Sequence, residues 1–92
     1  MKPANKVLIV EDETDISDLM KLHLKREGLE VDCVEEGEEA LHRMQTNSYQ
    51  LLILDWMLPG ISGLELCKKL RTEQKIKPLT PILMVTARAQ TS

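Results

Sequence analysis

Three short apolar runs in the chain each end on side chains that could bind a metal or take part in group transfer. They are residues 7–10 with Glu11 and Asp12, residues 51–54 with Asp55, and residues 82–85 with Thr86. Runs of four apolar residues rich in Val, Ile and Leu are typical of strands buried on both faces of a parallel sheet. Ligands of such sheets bind at the carboxyl ends of the strands. We therefore expect these polar side chains to share one crevice.

Several carboxylates in one crevice indicate a particular chemistry. Their charges repel one another, and a hard divalent cation such as Mg²⁺, which prefers oxygen ligands, removes the conflict. The cation would also let a carboxylate oxygen attack an incoming phosphoryl group. We expect Asp12 to bind the metal, Asp55 to be the nucleophile and Thr86 to donate a hydrogen bond to the phosphoryl group. On spacing alone, a solvated acidic rim without a ligand remains the alternative.

Helical patterns separate the apolar runs. The first helix is predicted with Thr14 or Asp15 as its N-cap and with Gly28 just beyond its end. A second helix is predicted over about residues 38–44. The side chains of the first helix that recur at helical spacing, and are therefore predicted to face the core, are Ile16, Leu19, Met20, His23 and Leu24.

The third helix and the second strand complete the pattern. Ser62 and Glu65 form a capping box that opens a helix predicted to bury Leu66, Cys67 and Leu70. Residues 29–34 alternate in polarity, which predicts a strand with one wet face near a sheet edge. The order β-α-β-α-β-α-β predicts an open parallel α/β sheet with helices on both faces. The wet second strand favours the strand order 2-1-3-4.

Composition restricts the class of protein. The 92 residues are enough for one small domain, and a net charge of −3 argues against non-specific nucleic-acid binding. No apolar run approaches the roughly 20 residues that span a bilayer. Cys33 and Cys67 have no metal-ligand pattern around them and are expected to be reduced and mostly buried. We expect a cytoplasmic protein.

Three stretches of the chain resemble the receiver domain of two-component response regulators. They are KVLIVEDE at 6–13, LLILDWMLPG at 51–60 followed by Ser62 and Gly63, and PILMVTA at 81–87. Pro59 and Gly63 match residues that shape the loop and helix after the phosphoacceptor in that family. The resemblance implies a flavodoxin-like receiver fold. The sequence DWMLPG at 55–60 looks most like that of the family branch with a C-terminal winged-helix DNA-binding domain. We assign no DNA binding to this chain.

The resemblance also implies a role for individual residues. It makes Asp55 the phosphorylated residue, with a sensor histidine kinase as the phosphodonor, and makes Glu11 and Asp12 the acidic pair. The metal ligands would be Glu11, Asp12, Asp55 and the backbone carbonyl of Met57, and Thr86 would be the switch hydroxyl. The domain would then be no enzyme beyond catalysing its own aspartyl phosphorylation and dephosphorylation.

The chain departs from the family at its C-terminus. Receiver domains continue through a helix, a fifth strand that ends on a lysine, and a final helix, so we expect 1–92 to be a receiver domain incomplete at the C-terminus. Strand four would then lie at an edge, where apolar strands invite self-association. The alternative function is a truncated, non-switchable fragment that acts only as a self-associating binding module.

A third class of protein on the same architecture, a flavin- or nucleotide-binding enzyme, is disfavoured. Such folds hold phosphate on the backbone amides of a glycine-rich first loop. Here the loop begins with Glu11, Asp12 and Glu13, whose charges would repel a phosphate.

Overall fold

A computed structural model describes residues 5–55, 58, 60–72 and 81–85 of the chain. Strands and helices alternate along it, as predicted. The strands are β1 (Lys6–Val10), β2 (Glu30–Val34), β3 (Leu51–Asp55) and β4 (Ile82–Val85). The helices are α1 (Thr14–Arg26), α2 (Gly37–Thr46) and α3 (Gly63–Thr72).

The four strands form one parallel sheet in the order β2-β1-β3-β4. The predicted order 2-1-3-4 is therefore confirmed. Strand β1 lies between β2 and β3, and all four of its residues from Val7 to Val10 are fully buried. This double burial explains why the run carries no polar residue, because the sheet covers both of its edges and helices cover its faces.

Each face of the sheet has its own apolar core. Leu8, Val10, Leu52 and Leu54 point to the face that α2 and α3 cover, where Leu66 and Leu70 of α3 are fully buried. Val7, Ile9, Val31 and Ile53 point to the other face, where Met20 and Leu24 of α1 pack. Successive strand residues therefore alternate between the two cores, which accounts for the apolar runs.

Helix α1 differs from its prediction at the cap and along its stripe. Glu13 occupies the N-cap position, without a side-chain cap hydrogen bond, so Thr14 and Asp15 already lie within the helix. His23 is exposed, and Leu19 is 57% exposed. Ser17 is buried instead, and its hydroxyl donates to the Thr14 carbonyl at 3.2 Å. Ile16, Met20 and Leu24 of the predicted stripe are partly buried, so the buried face of α1 is rotated from the predicted stripe towards Ser17.

Helix α3 begins as predicted. The backbone N–H of Glu65 donates to Ser62 Oγ at 3.2 Å, and the Ser62 hydroxyl donates to Glu65 Oε1 at 3.3 Å. The first bond satisfies an N–H that has no partner inside the helix, as a capping box does. Cys67 and Cys33 are both free and partly buried against the two cores, in line with the expectation of reduced thiols largely removed from solvent.

A polar cluster surrounds Asp32, the middle residue of the edge strand β2, outside the carboxylate cluster at the strand ends. The hydroxyl of buried Tyr49 donates to Asp32 Oδ2 at 2.6 Å. Lys6 Nζ and an Arg43 guanidinium nitrogen lie 3.9 and 3.8 Å from the same oxygen. Burial, followed by the hydrogen bond to Asp32, raises the pKa of Tyr49. Asp32 of β2 is therefore held by Lys6 of β1, Arg43 of α2 and Tyr49 in the chain before β3.

Candidate metal and phosphoacceptor site

Glu11, Asp12 and Asp55 come together at the carboxyl ends of β1 and β3. One oxygen of each carboxylate lies within 4.8 Å of one oxygen of each of the others. The parallel pairing Val10↔Leu54 places Glu11 and Asp55 at the same level of neighbouring strands. Asp55 is fully buried, Glu11 is 2% exposed, and Asp12 is half-buried. The carboxylate cluster predicted from the three strand ends is therefore present for the first and third strands.

Backbone hydrogen bonds hold Glu11 in place. Its N–H donates to the Val34 carbonyl at 3.0 Å, which extends the β1–β2 ladder by one residue beyond Val10. The N–H of Glu13 donates to Glu11 Oε2 at 3.0 Å. The side chain is therefore turned into the site by the same turn that leads into α1.

Burial, and after it the neighbouring acids, disfavours ionisation of the Glu11 carboxyl. Burial, together with the charge of Asp55 and hydrogen bonds to the Asp55 and Asp12 carboxyls, raises the pKa of Glu11 to about 7. The hydrogen bond from the N–H of Glu13 acts in the opposite direction. Free energy is thus stored in the cluster whenever all three groups are ionised.

The residues fit a hard divalent cation. Glu11 Oε1 is buried and receives no hydrogen bond from the part of the chain that the structure describes. A cation among the three carboxylates would satisfy this oxygen and relieve the repulsion. An all-oxygen donor set suits Mg²⁺, which takes one or two carboxylates and completes its octahedron with water and phosphate oxygens.

The raised pKa predicts how stability depends on pH without divalent cations. Between pH 4.5 and about 7 the folded state holds the Glu11 proton that the unfolded state has released. The free energy of unfolding contributed by Glu11 should therefore fall as pH rises through this window, by about 3 kcal/mol. Urea titrations of the chain and of Glu11→Gln in EDTA, across this window and just above it, measure this difference. Parallel pH profiles of the two proteins would contradict it.

The first residue of α3 packs directly on the backbone of Asp55. A Cβ at Gly63 would overlap the Asp55 carbonyl oxygen and would lie 3.2 Å from Met84 Cε. The resemblance had singled out Gly63 as a shaping residue, and the structure gives the reason for that role. Gly37 makes a comparable close approach to Ile61, which sequence reasoning missed because no local pattern marks a glycine at a helix start.

Two of the predicted site residues, Met57 and Thr86, lie outside the described residues, as do Trp56 and Pro59. Their assigned roles remain predictions. The described residues around Asp55 include the two acids of the β1–α1 turn, Val85 of β4 and Gly63.

Comparisons with known proteins agree with this geometry. The family described as "Response regulator receiver domain" matches residues 7–92. The phosphate regulon transcriptional regulatory protein PhoB of Rhizobium meliloti is 49% identical over 87 residues, which cover 95% of this chain and 38% of that protein. The chain thus spans well under half the length of this curated relative. None of the described helices is long and apolar enough to cross a membrane.

Solved structures with the same fold include two of the response regulator TrrA. The Thermotoga maritima protein in complex with Mg²⁺–BeF is 42% identical, with a TM-score of 0.80 over 92% of this chain and 71% of that chain. TrrA in complex with the histidine kinase ThkA is 41% identical, with a TM-score of 0.81 over 94% of this chain and 72% of that chain. The sheet order, the acidic cluster and these matches together show that the chain belongs to the response regulator receiver domain family of two-component signalling.

Proposed function

We propose that Asp55 accepts a phosphoryl group from a sensor histidine kinase in a reaction that depends on Mg²⁺. The observation that carries this proposal is the meeting of three carboxylates within 4.8 Å at the ends of β1 and β3. Asp55 is the acceptor because it lies at the end of a central strand, fully buried, between the acidic turn and Gly63. A relative crystallised with its histidine kinase supports the choice of donor.

The proposed step is an in-line displacement at phosphorus. An Asp55 carboxylate oxygen forms a bond to the phosphorus while the phosphorus–nitrogen bond of a phosphohistidine breaks. The imidazole leaves with the electron pair of that bond and takes up a proton. Asp55 becomes an aspartyl phosphate, so the domain uses its own side chain once and releases no product until water attacks the acyl phosphate.

Glu11 and Asp12 would hold the metal together with Asp55, and the Met57 carbonyl is proposed as a further ligand. Bound Mg²⁺ neutralises charge on the transferred group. Glu11 and Asp12 fix the position of that charge, and the close contact of Gly63 with Asp55 keeps the acceptor strand from shifting away. The Thr86 hydroxyl is proposed to donate to a phosphoryl oxygen.

The signal would act on transcription in a larger protein. A relative that is 49% identical is named as a transcriptional regulatory protein, of which this chain corresponds to 38%. We therefore propose that the state of Asp55 controls a transcriptional output and that residues 1–92 provide its receiver portion. Free Cys33 and Cys67 fit a reducing compartment, which supports a cytoplasmic location.

A magnesium titration tests the proposal. Trp56 is the sole tryptophan of the sequence and directly follows Asp55, so its emission should report cation binding. We expect saturable quenching by Mg²⁺ that EDTA reverses, and a further change when beryllofluoride or a small acyl phosphate is added. Asp12→Asn should weaken the Mg²⁺ response, whereas Asp32→Asn, in the middle of the edge strand β2 and outside the carboxylate cluster, should leave it unchanged.

The two functions considered for the chain respond differently in this titration. Quenching by Mg²⁺ followed by a response to the phosphoryl analogue supports the phosphoacceptor. Quenching without any response to the analogue supports the alternative, a non-switchable fragment. If neither ligand alters the emission and equilibrium dialysis also detects no bound Mg²⁺, the proposed function is wrong.

We also propose that the chain self-associates through β4. Within the described ranges β4 pairs only with β3, and Leu83 in its middle is 50% exposed. An apolar strand with an open edge is a template for pairing with a second copy. We expect sedimentation of the chain to show a concentration-dependent dimer that Leu83→Lys weakens, with Leu64→Lys on α3 as the control. A dilution-independent monomer would contradict this expectation.

A further inference from the structure

We infer that Gly37, the first residue of α2, is a positioning residue for the loop that carries the chain from Asp55 to α3. The inference rests on the proposed function and deepens it. Gly37 is buried, and a Cβ at this position would overlap Cγ2 of Ile61. The same Cβ would lie 3.6 Å from Ile61 Cβ and from Leu66 Cδ2, so there is no free space beside the glycine.

Ile61 lies at the end of that loop, where the chain enters α3. It precedes Ser62, which caps α3, and it packs partly buried against the core that α2 and α3 share. One residue after the cap, Gly63 rests on the Asp55 carbonyl. The exit of the loop is therefore fixed at two points, one on α2 and one on the acceptor strand itself.

The fixed exit connects α2 to the acceptor strand. If Ile61 were pushed off α2, the adjoining Ser62 and Gly63 would be displaced with it, and Gly63 lies against the Asp55 carbonyl. Such a displacement would move Asp55 relative to Glu11 and Asp12, which follow a different strand.

A plain structural role for Gly37 makes a different prediction. Gly37 does not adopt a positive φ, in contrast to Gly28 and Gly60, so its backbone conformation is open to alanine. Alanine is also the better helix former by about 1 kcal/mol in a helix interior. A general helix-start role therefore predicts that Gly37→Ala is neutral or stabilising. A positioning role predicts a specific defect that truncation of the Ile61 side chain corrects.

The experiment compares four variants of the chain, namely Gly37→Ala, Ile61→Ala, the double variant and Gly28→Ala. Mg²⁺ affinity is measured by Trp56 emission, and amide hydrogen exchange of residues 58–62 is measured without metal. We expect Gly37→Ala to exchange faster across the loop and to bind Mg²⁺ on the order of tenfold more weakly, because metal binding must then restore the native position of Ile61 against the added methyl group. The double variant should recover both properties, since the methyl group added at position 37 fills the space that the Ile61 side chain vacates.

Gly28→Ala is the matched control. Its φ of +86° strains an alanine, but a Cβ there meets nothing within 4 Å, and it precedes β2 at the far end of the sheet. It should lower the urea midpoint and leave Mg²⁺ affinity and loop exchange unchanged. If Gly37→Ala fails to fold, recovery in the double variant still identifies the contact.

Two results would overturn the inference. One is wild-type loop exchange in Gly37→Ala, and the other is a double variant as impaired as the single one. If the unmodified chain binds no Mg²⁺, the proposed function fails, yet the exchange comparison still decides whether Gly37 positions the loop. The two failures are therefore distinguishable.

Discussion

Asp55→Asn should abolish hydroxylamine-sensitive labelling of the chain by a phosphohistidine donor or a small acyl phosphate. The amide has no anionic oxygen to attack phosphorus, so we expect labelling to fall to background, at least about 100-fold below the unmodified chain. Labelling is measured by intact mass, as the increment of one phosphoryl group that is lost on treatment with hydroxylamine. Asp32→Asn, which removes a half-buried carboxylate held by Tyr49, should still be labelled.

The same substitution should stabilise the metal-free fold. Asp55 is one of the causes that raise the pKa of Glu11, so neutralising Asp55 lowers that pKa towards its usual value. We expect the free energy of unfolding in EDTA, at a pH above the Glu11 pKa, to rise by about 1 kcal/mol. Retained labelling at unchanged stoichiometry would remove Asp55 from its role, and an unchanged stability would show that the cluster stores less repulsion than its geometry implies.

Gly63→Ala should cause the largest loss of stability among the glycine substitutions. Its Cβ would overlap the Asp55 carbonyl oxygen, which belongs to the backbone at the end of β3 and cannot rotate away as a side chain can. We expect the free energy of unfolding to fall by about 3 kcal/mol, a large share of the total for a domain of this size. Urea unfolding followed by circular dichroism measures it.

Gly60→Ala provides the matched comparison in the same loop. Gly60 has a φ of +76°, and a Cβ there meets nothing within 4 Å, so the substitution costs about 1 kcal/mol through backbone strain alone. A loss at Gly63 no larger than that at Gly60 would show that the end of β3 yields to the added methyl group.

Most of the sheet and the carboxylate cluster were predictable from local sequence. The runs that became β1 and β3 are apolar because both faces of those strands are buried, and each ends on an acid where the strand leaves the core. An apolar run followed by an acidic residue therefore indicates both the buried strand and the end of it that carries the site. The order of the strands followed from the polar residues of β2, which is an edge strand.

The rotation of α1 and the glycine contacts were not predictable in this way. Leu19 was predicted to face the core, yet it is 57% exposed, because the side of the helix that is buried depends on how the helix meets the sheet. Gly37 and Ile61 are distant in sequence, and their contact exists only once α2 and α3 lie side by side. The rotation of α1 and the contact between Gly37 and Ile61 both depend on packing between elements, which the spacing of apolar residues along the sequence does not specify.

The parallel topology has an electrical consequence. All strands end at the same rim, so α1, α2 and α3, which follow β1, β2 and β3, all begin there. The amino end of a helix carries a partial positive charge from its aligned peptide dipoles. Three such ends lie at the rim where Asp55 would gain a dianionic group, so their partial charges offset part of the repulsion that Glu11 and Asp12 exert on that group.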